Sequence, residues 1–245
     1  MNYTSTAAGV RQIDSWHYRQ RILSFFGRVN YDYKSKYLLS LVLRRDGYSK
    51  LPKDNRWGTF PGISAGWVLS RENFMESCSN VLSYAKIRAS YGANGNVSGV
   101  LDANGNVVTG LDYYTVQGSY GIMKDKDGKI VPNYNGKVPL MINDLPNPTM
   151  RWEKSYTFET GFDIGFLNNK YILNFTYYNR HTQDKFAEIT LPSHSGVSSF
   201  LSNNGEVQNQ GMELELTANV LRTKDWKFTV SMNCLLYTSP SPRDT

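Results

Sequence analysis

Apolar and polar side chains alternate along most of the chain, a pattern that predicts β-strands rather than helices. Between Leu23 and Tyr33 every second residue is apolar or glycine, and the alternation resumes at Tyr37 after a turn at Lys34 and Ser35. The pattern therefore predicts a hairpin at this point. Eight such apolar sets occur, within residues 23–33, 37–43, 63–69, 85–91, 156–166, 171–177, 212–220 and 226–232.

Charged residues are separated from these sets by strand face. None of the eight apolar sets contains a charge, whereas the intervening positions carry Arg28, Asp32, Arg44, Lys86, Arg88, Glu159, Asp163, Glu213, Glu215 and Lys227. The separation has exceptions on the polar side, at Phe26, Leu38, Val42, Val68 and Tyr178. The predicted sheet thus has one apolar face and one polar, charged face.

Strand and loop lengths distinguish a barrel from a sandwich. Several runs exceed ten residues, whereas sandwich strands average about five or six and a tilted membrane strand needs about 9 to 11. Short connections at 34–36, 168–170 and 222–225, and a somewhat longer one at 70–80, alternate with long ones at 46–59, 92–151 and 181–205. Outer-membrane barrels have short periplasmic turns and long external loops. The sequence predicts an all-β, antiparallel transmembrane β-barrel, of which about eight strands are present.

Aromatic residues give a third signal, with two interpretations. Six lie on apolar faces beside the short turns: Tyr33, Tyr37, Trp67, Phe166, Tyr171 and Trp226. A belt at the lipid interface predicts this placement, but aromatic residues also favour strands in any sheet. Five more lie in the predicted long loops, where they either contact a substrate or partner or form small loop cores: Trp57, Tyr113, Tyr114, Tyr120 and Tyr134.

The longest predicted loop, residues 92–151, contains repeated turn signals. Ala93-Asn94-Gly95-Asn96-Val97 recurs as Ala103-Asn104-Gly105-Asn106-Val107. Asn-Gly favours tight hairpin turns because both residues tolerate positive φ. We therefore expect this loop to fold into small hairpins.

Composition and isolated residues exclude several function classes. The net charge is +6 and the pI about 9.1, but the basic residues are spread along the chain, so nucleic-acid binding is not expected. No apolar run approaches the roughly 18 residues of a membrane-spanning helix. The three histidines have no second ligand or nucleophile at useful spacing, and no phosphate-binding motif occurs. We expect neither an enzyme nor a bound metal or cofactor.

Several motifs occur together, in order, between about Phe25 and Asn233. They lie at residues 37–47, 54–61, 66–67, 74–75, 86–96, 147–154 and 205–214. Within these ranges are the stretches Asn55-Arg56-Trp57-Gly58, Lys86-Ile87-Arg88-Ala89-Ser90-Tyr91-Gly92, Arg151-Trp152-Glu153-Lys154 and Asn209-Gln210-Gly211-Met212-Glu213. In these motifs the chain resembles the SusC/RagA family of TonB-dependent outer-membrane transporters.

The resemblance implies a barrel of about 22 strands closed by a plug, of which this chain is an internal part. It implies import of a nutrient, a glycan or a peptide, across the bacterial outer membrane. The implied partners are a SusD-like surface lipoprotein, outer-membrane lipid, and TonB, which acts through an N-terminal region that this chain lacks. Arg28, Arg44, Arg88, Glu213 and Glu215 then face the lumen and plug as structural supports.

The resulting domain prediction has three parts. Residues 1–18 form a loop or the end of a preceding strand, residues 19–236 form the partial barrel with the external loop at 92–151, and residues 237–245 form a tail that does not match the family. We expect this proline-containing tail to be foreign sequence from a cloning or assembly junction, because proline cannot continue a central strand. The alternative for the whole chain is a stand-alone small β-barrel or a secreted carbohydrate-binding β-domain.

Overall fold

The fold consists of one large antiparallel sheet and two small ribbons. The computed structural model describes residues 20–98, 100–101, 107–109, 111, 115–123, 130–131, 139–197 and 199–237. The large sheet has the strand order β1-β2-β3-β4-β9-β10-β11-β12. Its strands are β1 (Ile22–Tyr33), β2 (Tyr37–Tyr48), β3 (Trp57–Val68), β4 (Leu82–Asn96), β9 (Glu153–Phe166), β10 (Tyr171–Thr190), β11 (Ser199–Arg222) and β12 (Lys227–Tyr237). The ribbons pair β5 (Val100–Leu101) with β6 (Val107–Thr109), and β7 (Ser119–Ile122) with β8 (Leu140–Asp144).

The first hairpin forms where the sequence predicts it. Strands β1 and β2 pair from Ile22 opposite Tyr48 to Tyr33 opposite Tyr37. Lys34 and Ser35 have φ of 52° and 51°, the positive values that two-residue hairpin turns require. The N–H of Ser35 donates to Asp32 Oδ1 at 2.7 Å. This side-chain acceptor stabilises a turn that has no glycine.

The register aligns the predicted apolar sets into one continuous face. On that face Phe162 of β9 lies opposite Ile87 of β4 and Phe175 of β10, and Phe175 lies opposite Leu214 of β11. The Phe162 and Phe175 rings stack with centroids 5.2 Å apart. We call this the apolar face, and the opposite one the polar face.

The apolar face is the more exposed of the two, the reverse of a water-soluble sheet. Leu41 and Leu43 are 44% and 56% exposed, and Ile63 is 47% exposed, whereas the neighbouring polar-face residues Ser40 and Ser64 are half-buried. A sheet curved around its polar face gives this pattern, and a membrane barrel needs it, because its outside contacts lipid.

The sheet is open rather than closed into a small barrel. Strands β1 and β12 are its edges, and within the described residues neither pairs with a further strand. A self-contained eight-stranded barrel would pair these two edges. The predicted tail boundary falls at the end of β12, which includes Tyr237; residues 1–19 and 238–245 lie outside the described part of the chain.

Two of the predicted long loops are shorter than the sequence suggests. The predicted loop 46–59 is only 49–56, because β2 continues to Tyr48 and β3 begins at Trp57. The predicted loop 181–205 is largely strand, because β10 and β11 extend to 20 and 24 residues. Both strands exceed the roughly 9 to 11 residues that cross a membrane, so the β10–β11 hairpin extends beyond it.

The prediction for the longest loop is partly wrong. Asn94-Gly95 lies inside β4, paired with Ser155 and Lys154 of β9, and makes no turn. The continuous ladder to β9 prevails over the local turn preference there. Strands β5 and β6 pair antiparallel, as do β7 and β8, so this loop contains two short ribbons. The turn signals Ala103-Asn104-Gly105-Asn106 and Asp127-Gly128 lie outside the described residues.

Candidate functional site

Three parts of the sheet carry candidate functional residues: the polar face, the end that holds the long loops, and the aromatic positions of the apolar face. We call the two ends of the sheet the long-loop end and the short-turn end. The polar face is described first because most of the charges lie on it.

Arg88 is the centre of a polar cluster on β4, β9, β10 and β11. Its Nε donates to Asp163 Oδ1 at 3.3 Å and its Nη2 donates to Thr176 Oγ1 at 2.5 Å. The register allows this reach because Gly161, directly opposite Arg88, has no side chain. Arg88 thereby joins three strands on the polar face.

Two further predicted residues belong to the same cluster. Glu213 and Glu215 of β11 line a concavity of about 380 Å³ together with Arg88, Asp163, Asn174 and Thr176. Asn174 Nδ2 donates to Glu215 Oε2 at 3.2 Å. Three carboxylates here face one guanidinium, so the cluster carries an excess of negative charge and of hydrogen-bond acceptors. It suits a basic or hydroxyl-rich partner surface.

The other two predicted arginines lie elsewhere on the polar face. Arg44 of β2 donates from Nε to both carboxylate oxygens of Asp46, at 2.9 and 2.6 Å. Asp46 is 5% exposed, so this pair satisfies a buried carboxylate. Arg28 is exposed on β1, opposite Val42. Sequence reasoning missed Asp163 and Thr176 as members of the cluster, since strand alternation gives the face of a residue but not its neighbours.

A second concavity, of about 530 Å³, extends along the polar face from β1 to β9. Its lining combines short side chains, among them Ser40, Ser64 and Ser90, with the charged side chains of Asp32, Lys86, Arg88 and Glu159. Short hydroxyl and amide side chains leave room for another backbone or a sugar to approach the wall. The surface can bind a partner by hydrogen bonding.

A compact hydrophobic cluster lies at the long-loop end. Its members are Tyr48, Leu51, Phe60, Leu111, Met150, Trp152 and Phe186. The Trp152 ring meets Phe60 edge-on at 5.5 Å and Tyr48 at 6.3 Å. Its Nε1 donates to the Arg56 carbonyl at 3.0 Å. We call this the loop core; it joins loop 49–56 to the strands.

Buried polar side chains connect the loop core to the extended β10–β11 hairpin. Glu153, 4% exposed, accepts from the Phe186 N–H at 2.7 Å and from Asn96 Nδ2 at 2.7 Å. Asn147, 2% exposed, donates to the Leu201 carbonyl at 2.8 Å. Sequence reasoning did not identify Trp152 or Glu153 as buried, because both precede the alternating set of β9.

Of the five predicted loop aromatics, Trp57 and Tyr120 lie within the described residues. Tyr120 is 74% exposed on ribbon strand β7. Trp57 is not a loop residue but the first residue of β3, on the apolar face, with its ring stacked on Phe25. Tyr113, Tyr114 and Tyr134 lie outside the described residues.

The aromatic residues near the short turns share the apolar face. Tyr33, Tyr37 and Trp67 form a continuous stack across β1, β2 and β3, with centroids 6.4 and 6.2 Å apart. Phe166 and Tyr171 lie opposite each other on β9 and β10. Trp226 is 73% exposed. All six therefore lie at the short-turn end of the sheet.

The described residues contain no cluster of three or more His, Cys, Asp or Glu side chains that could hold a metal ion. Over the same residues, no helix is long and apolar enough to cross a membrane.

Comparison with protein-family models identifies the family to which the chain belongs. The family model described as TonB dependent receptor-like, beta-barrel, matches residues 1–245. The chain belongs to this family. TonB-dependent receptors are β-barrels of the bacterial outer membrane, so the apolar face contacts lipid and the polar face lines the lumen.

Curated relatives of the TonB-dependent receptor family match the chain over most of its length. TonB-dependent receptor P3 of Formosa agariphila is 33% identical over 222 residues, which is 91% of this chain and 20% of the relative. TonB-dependent receptor SusC of Bacteroides thetaiotaomicron is 32% identical over 227 residues, which is 92% of this chain and 21% of the relative. The chain spans about a fifth of the length of these relatives.

Solved structures agree with the family. The RagAB peptide transporter matches with a TM-score of 0.71 and 26% identity, over 89% of this chain and 22% of the other chain. The siderophore receptor PirA from Pseudomonas aeruginosa matches with a TM-score of 0.52 and 16% identity, a likeness of fold alone. The SusC/RagA resemblance of the sequence is confirmed.

One carboxylate fixes the short-turn end of the receptor wall. Glu72, in the turn between β3 and β4, accepts from Trp67 Nε1 at 3.1 Å and pairs with Lys36 Nζ at 3.0 Å. The Trp67 indole, Lys36 and the Tyr37 hydroxyl, in that order, lower the Glu72 pKa from its ordinary value of 4.5. Glu72 thus ties a turn segment to two belt aromatics.

This geometry predicts a pH-dependent turn. A carboxylate with a lowered pKa stabilises the fold fully above pH 4.5, and the stabilisation is lost as the pH falls through the folded-state pKa. We expect amide exchange of Leu69–Cys78, corrected for intrinsic rates, to be constant above that pH and faster below it. Glu72→Gln should exchange faster at neutral pH and show no acid step. An acid step that persists in the variant would contradict the assignment to Glu72.

Proposed function

We propose that this chain is part of the barrel wall of a transporter that imports a nutrient across the bacterial outer membrane, energised by TonB. The observation that carries the proposal is the two-faced sheet, apolar outside and polar inside, with a RagAB-like fold at a TM-score of 0.71. Binding and conformational change, rather than bond chemistry, perform this function. TonB and the plug act through parts of the protein outside this chain.

The polar cluster around Arg88 supports a role as the seat of the plug. Asp163, Glu213 and Glu215 offer carboxylates to one concavity, and Arg88 pairs with Asp163. In this proposal a plug surface with basic or hydroxyl groups rests there, and the smaller side chains of the 530 Å³ concavity leave space for it. Arg28 and Arg44 support the wall elsewhere.

A SusD-like surface lipoprotein is the proposed partner at the long-loop end. Two features support this: the similarity to SusC and RagAB, and the β10–β11 hairpin, which the loop core holds rigidly beyond the membrane. The lipoprotein captures a glycan or a peptide and closes over the barrel. Tyr120 and the undescribed Tyr113, Tyr114 and Tyr134 are proposed contacts on this side, and the six short-turn aromatics are the proposed lipid-interface belt.

Deletion of the gene in its native bacterium tests the proposal. We expect the deletion strain to lose growth on one class of substrate in a panel of glycans and oligopeptides, and complementation to restore it. Uptake of the labelled substrate should also stop when a protonophore removes the proton gradient. A deletion strain that grows on and takes up every member of the panel as the parent does would contradict a role in import.

A further inference from the structure

A cationic aromatic patch lies on the apolar face at the long-loop end, where the import function assigns no residue. Its centre is the Trp57 indole, which lies flat over Gly47, the residue opposite it on β2. A Cβ at Gly47 would come within 2.9 Å of the Trp57 ring atoms. The absence of a side chain at Gly47 therefore fixes where the indole lies.

Two neighbours complete what we call the Trp57 patch. Phe25 stacks on Trp57 with centroids 6.2 Å apart and an interplanar angle of 24°. The guanidinium carbon of Arg45 lies 5.5 Å from the centroid of Trp57. Phe25 and Arg45 are opposite each other in the β1–β2 ladder. Phe25 and Trp57 remain 59% and 40% exposed.

The depth of the patch places it at the second membrane interface. Trp67, at the short-turn end, lies ten residue steps after Trp57 along β3. At about 3.3 Å per residue, the two tryptophans are roughly 33 Å apart along the strand. For a strand tilted by about 40°, this corresponds to about 25 Å across the membrane. That depth equals the height of the apolar band of an outer-membrane barrel. Trp57 thus lies where the lipid headgroups of the external leaflet begin.

Arg45 has no counter-ion within the protein as described. Among the described residues no carboxylate oxygen lies within 4.0 Å of its side-chain nitrogens, whereas its neighbour Arg44 is paired with Asp46. The Arg45 guanidinium lies over the Trp57 ring and carries five N–H donors. These donors match phosphate oxygens, which arginine binds in a bidentate manner.

We propose that the Trp57 patch binds the phosphate of an anionic glycolipid headgroup in the external leaflet of the outer membrane. Arg45 donates to the phosphate, while Phe25 and Trp57 contact the boundary between headgroup and acyl chains. The proposal rests on the barrel orientation proposed above, with the long-loop end outside the cell. It adds a lipid contact that nutrient import does not require.

Co-purification of lipid with the full-length transporter that contains this chain tests the proposal. The transporter is extracted in mild detergent, and the bound lipopolysaccharide is counted by native mass spectrometry. We expect Arg45→Gln to retain about tenfold less of it, as for the loss of one charge-assisted hydrogen bond, and Arg45→Lys to retain more than Arg45→Gln. The matched control is Lys34→Gln, which removes a cation 5.3 Å above the Tyr33 ring at the short-turn end.

The outcomes separate this proposal from the others. The proposal is supported if Arg45→Gln retains less lipopolysaccharide and Lys34→Gln does not, and if excess inorganic phosphate does not displace the bound lipid. The proposal is overturned if Arg45→Gln retains as much lipopolysaccharide as the unmodified transporter, or if Lys34→Gln loses as much as Arg45→Gln. Displacement of the bound lipid by inorganic phosphate alone would also overturn it. A heat-modifiable band for each variant shows that the barrel has assembled. Nutrient uptake is measured separately, so failure of the import proposal would appear in the deletion strain instead.

Discussion

Leu41→Arg is expected to destabilise the membrane-inserted barrel by about 2–4 kcal/mol, the cost of an arginine at mid-depth on a lipid-facing strand. Leu41 lies on the apolar face of β2, four residues from Tyr37 at one interface and four from Arg45 at the other. It is 44% exposed. An arginine there is too far from either interface for its side chain to reach the headgroups fully.

The neighbouring Ser40→Arg is the matched control. Ser40 is on the same strand at the same depth but lines the 530 Å³ concavity of the polar face, so its stability should change by only about 0.5 kcal/mol. The measurement is the folded, heat-modifiable fraction of the full-length protein in lipid vesicles across a urea series. An equal loss in both variants would show that β2 does not separate lipid from lumen.

Trp152→Ala should release the loops of the long-loop end. Removing this 5%-exposed side chain abolishes its contacts with Phe60 and Tyr48 and its hydrogen bond to the Arg56 carbonyl. Truncation of a buried tryptophan costs about 3–5 kcal/mol. Because the loop core lies at the long-loop end and joins loop residues to the ends of the strands, we expect local opening rather than loss of the barrel.

Hydrogen exchange measures this opening. In Trp152→Ala, exchange of residues 49–56 and 139–152 should accelerate greatly, whereas exchange in the membrane part of β2 and β9 should not change. Trp226→Ala is the control, because that tryptophan is 73% exposed in the short turn between β11 and β12. If the loops in Trp152→Ala exchanged as slowly as in the control, the loop core would not be what holds them.

The faces and order of the strands were predictable because lipid on one side and water on the other impose a period of two on every strand. Phe162 and Leu214 are assigned to the apolar face by counting alone. Strand lengths were not predictable in the same way. In the extensions of β10 and β11 beyond the membrane neither face meets lipid, so the alternation weakens and the sequence resembles a loop.

The candidate site was predicted in part for a similar reason. Alternation assigns Arg88, Glu213 and Glu215 to the polar face, but their meeting in one concavity depends on the stagger between four strands, which no local pattern encodes. Trp57 was taken for a loop residue because the glycine and proline around it signal a break. The ladder between β2 and β3 instead continues to Gly47 and Trp57. Trp152 is buried only through residues distant in sequence.

The proposed barrel requires one face of this sheet to contact hydrocarbon and the other to contact water. Nitroxide labels at Leu41, Phe162 and Leu216 in the full-length protein test this arrangement, and a label at Ser40 is the comparison. The measurement is the rate at which each label collides with oxygen and with a water-soluble nickel complex. We expect collisions with oxygen to dominate at the three apolar positions and collisions with nickel to dominate at Ser40. Nickel-dominated collisions at the three apolar positions would contradict it.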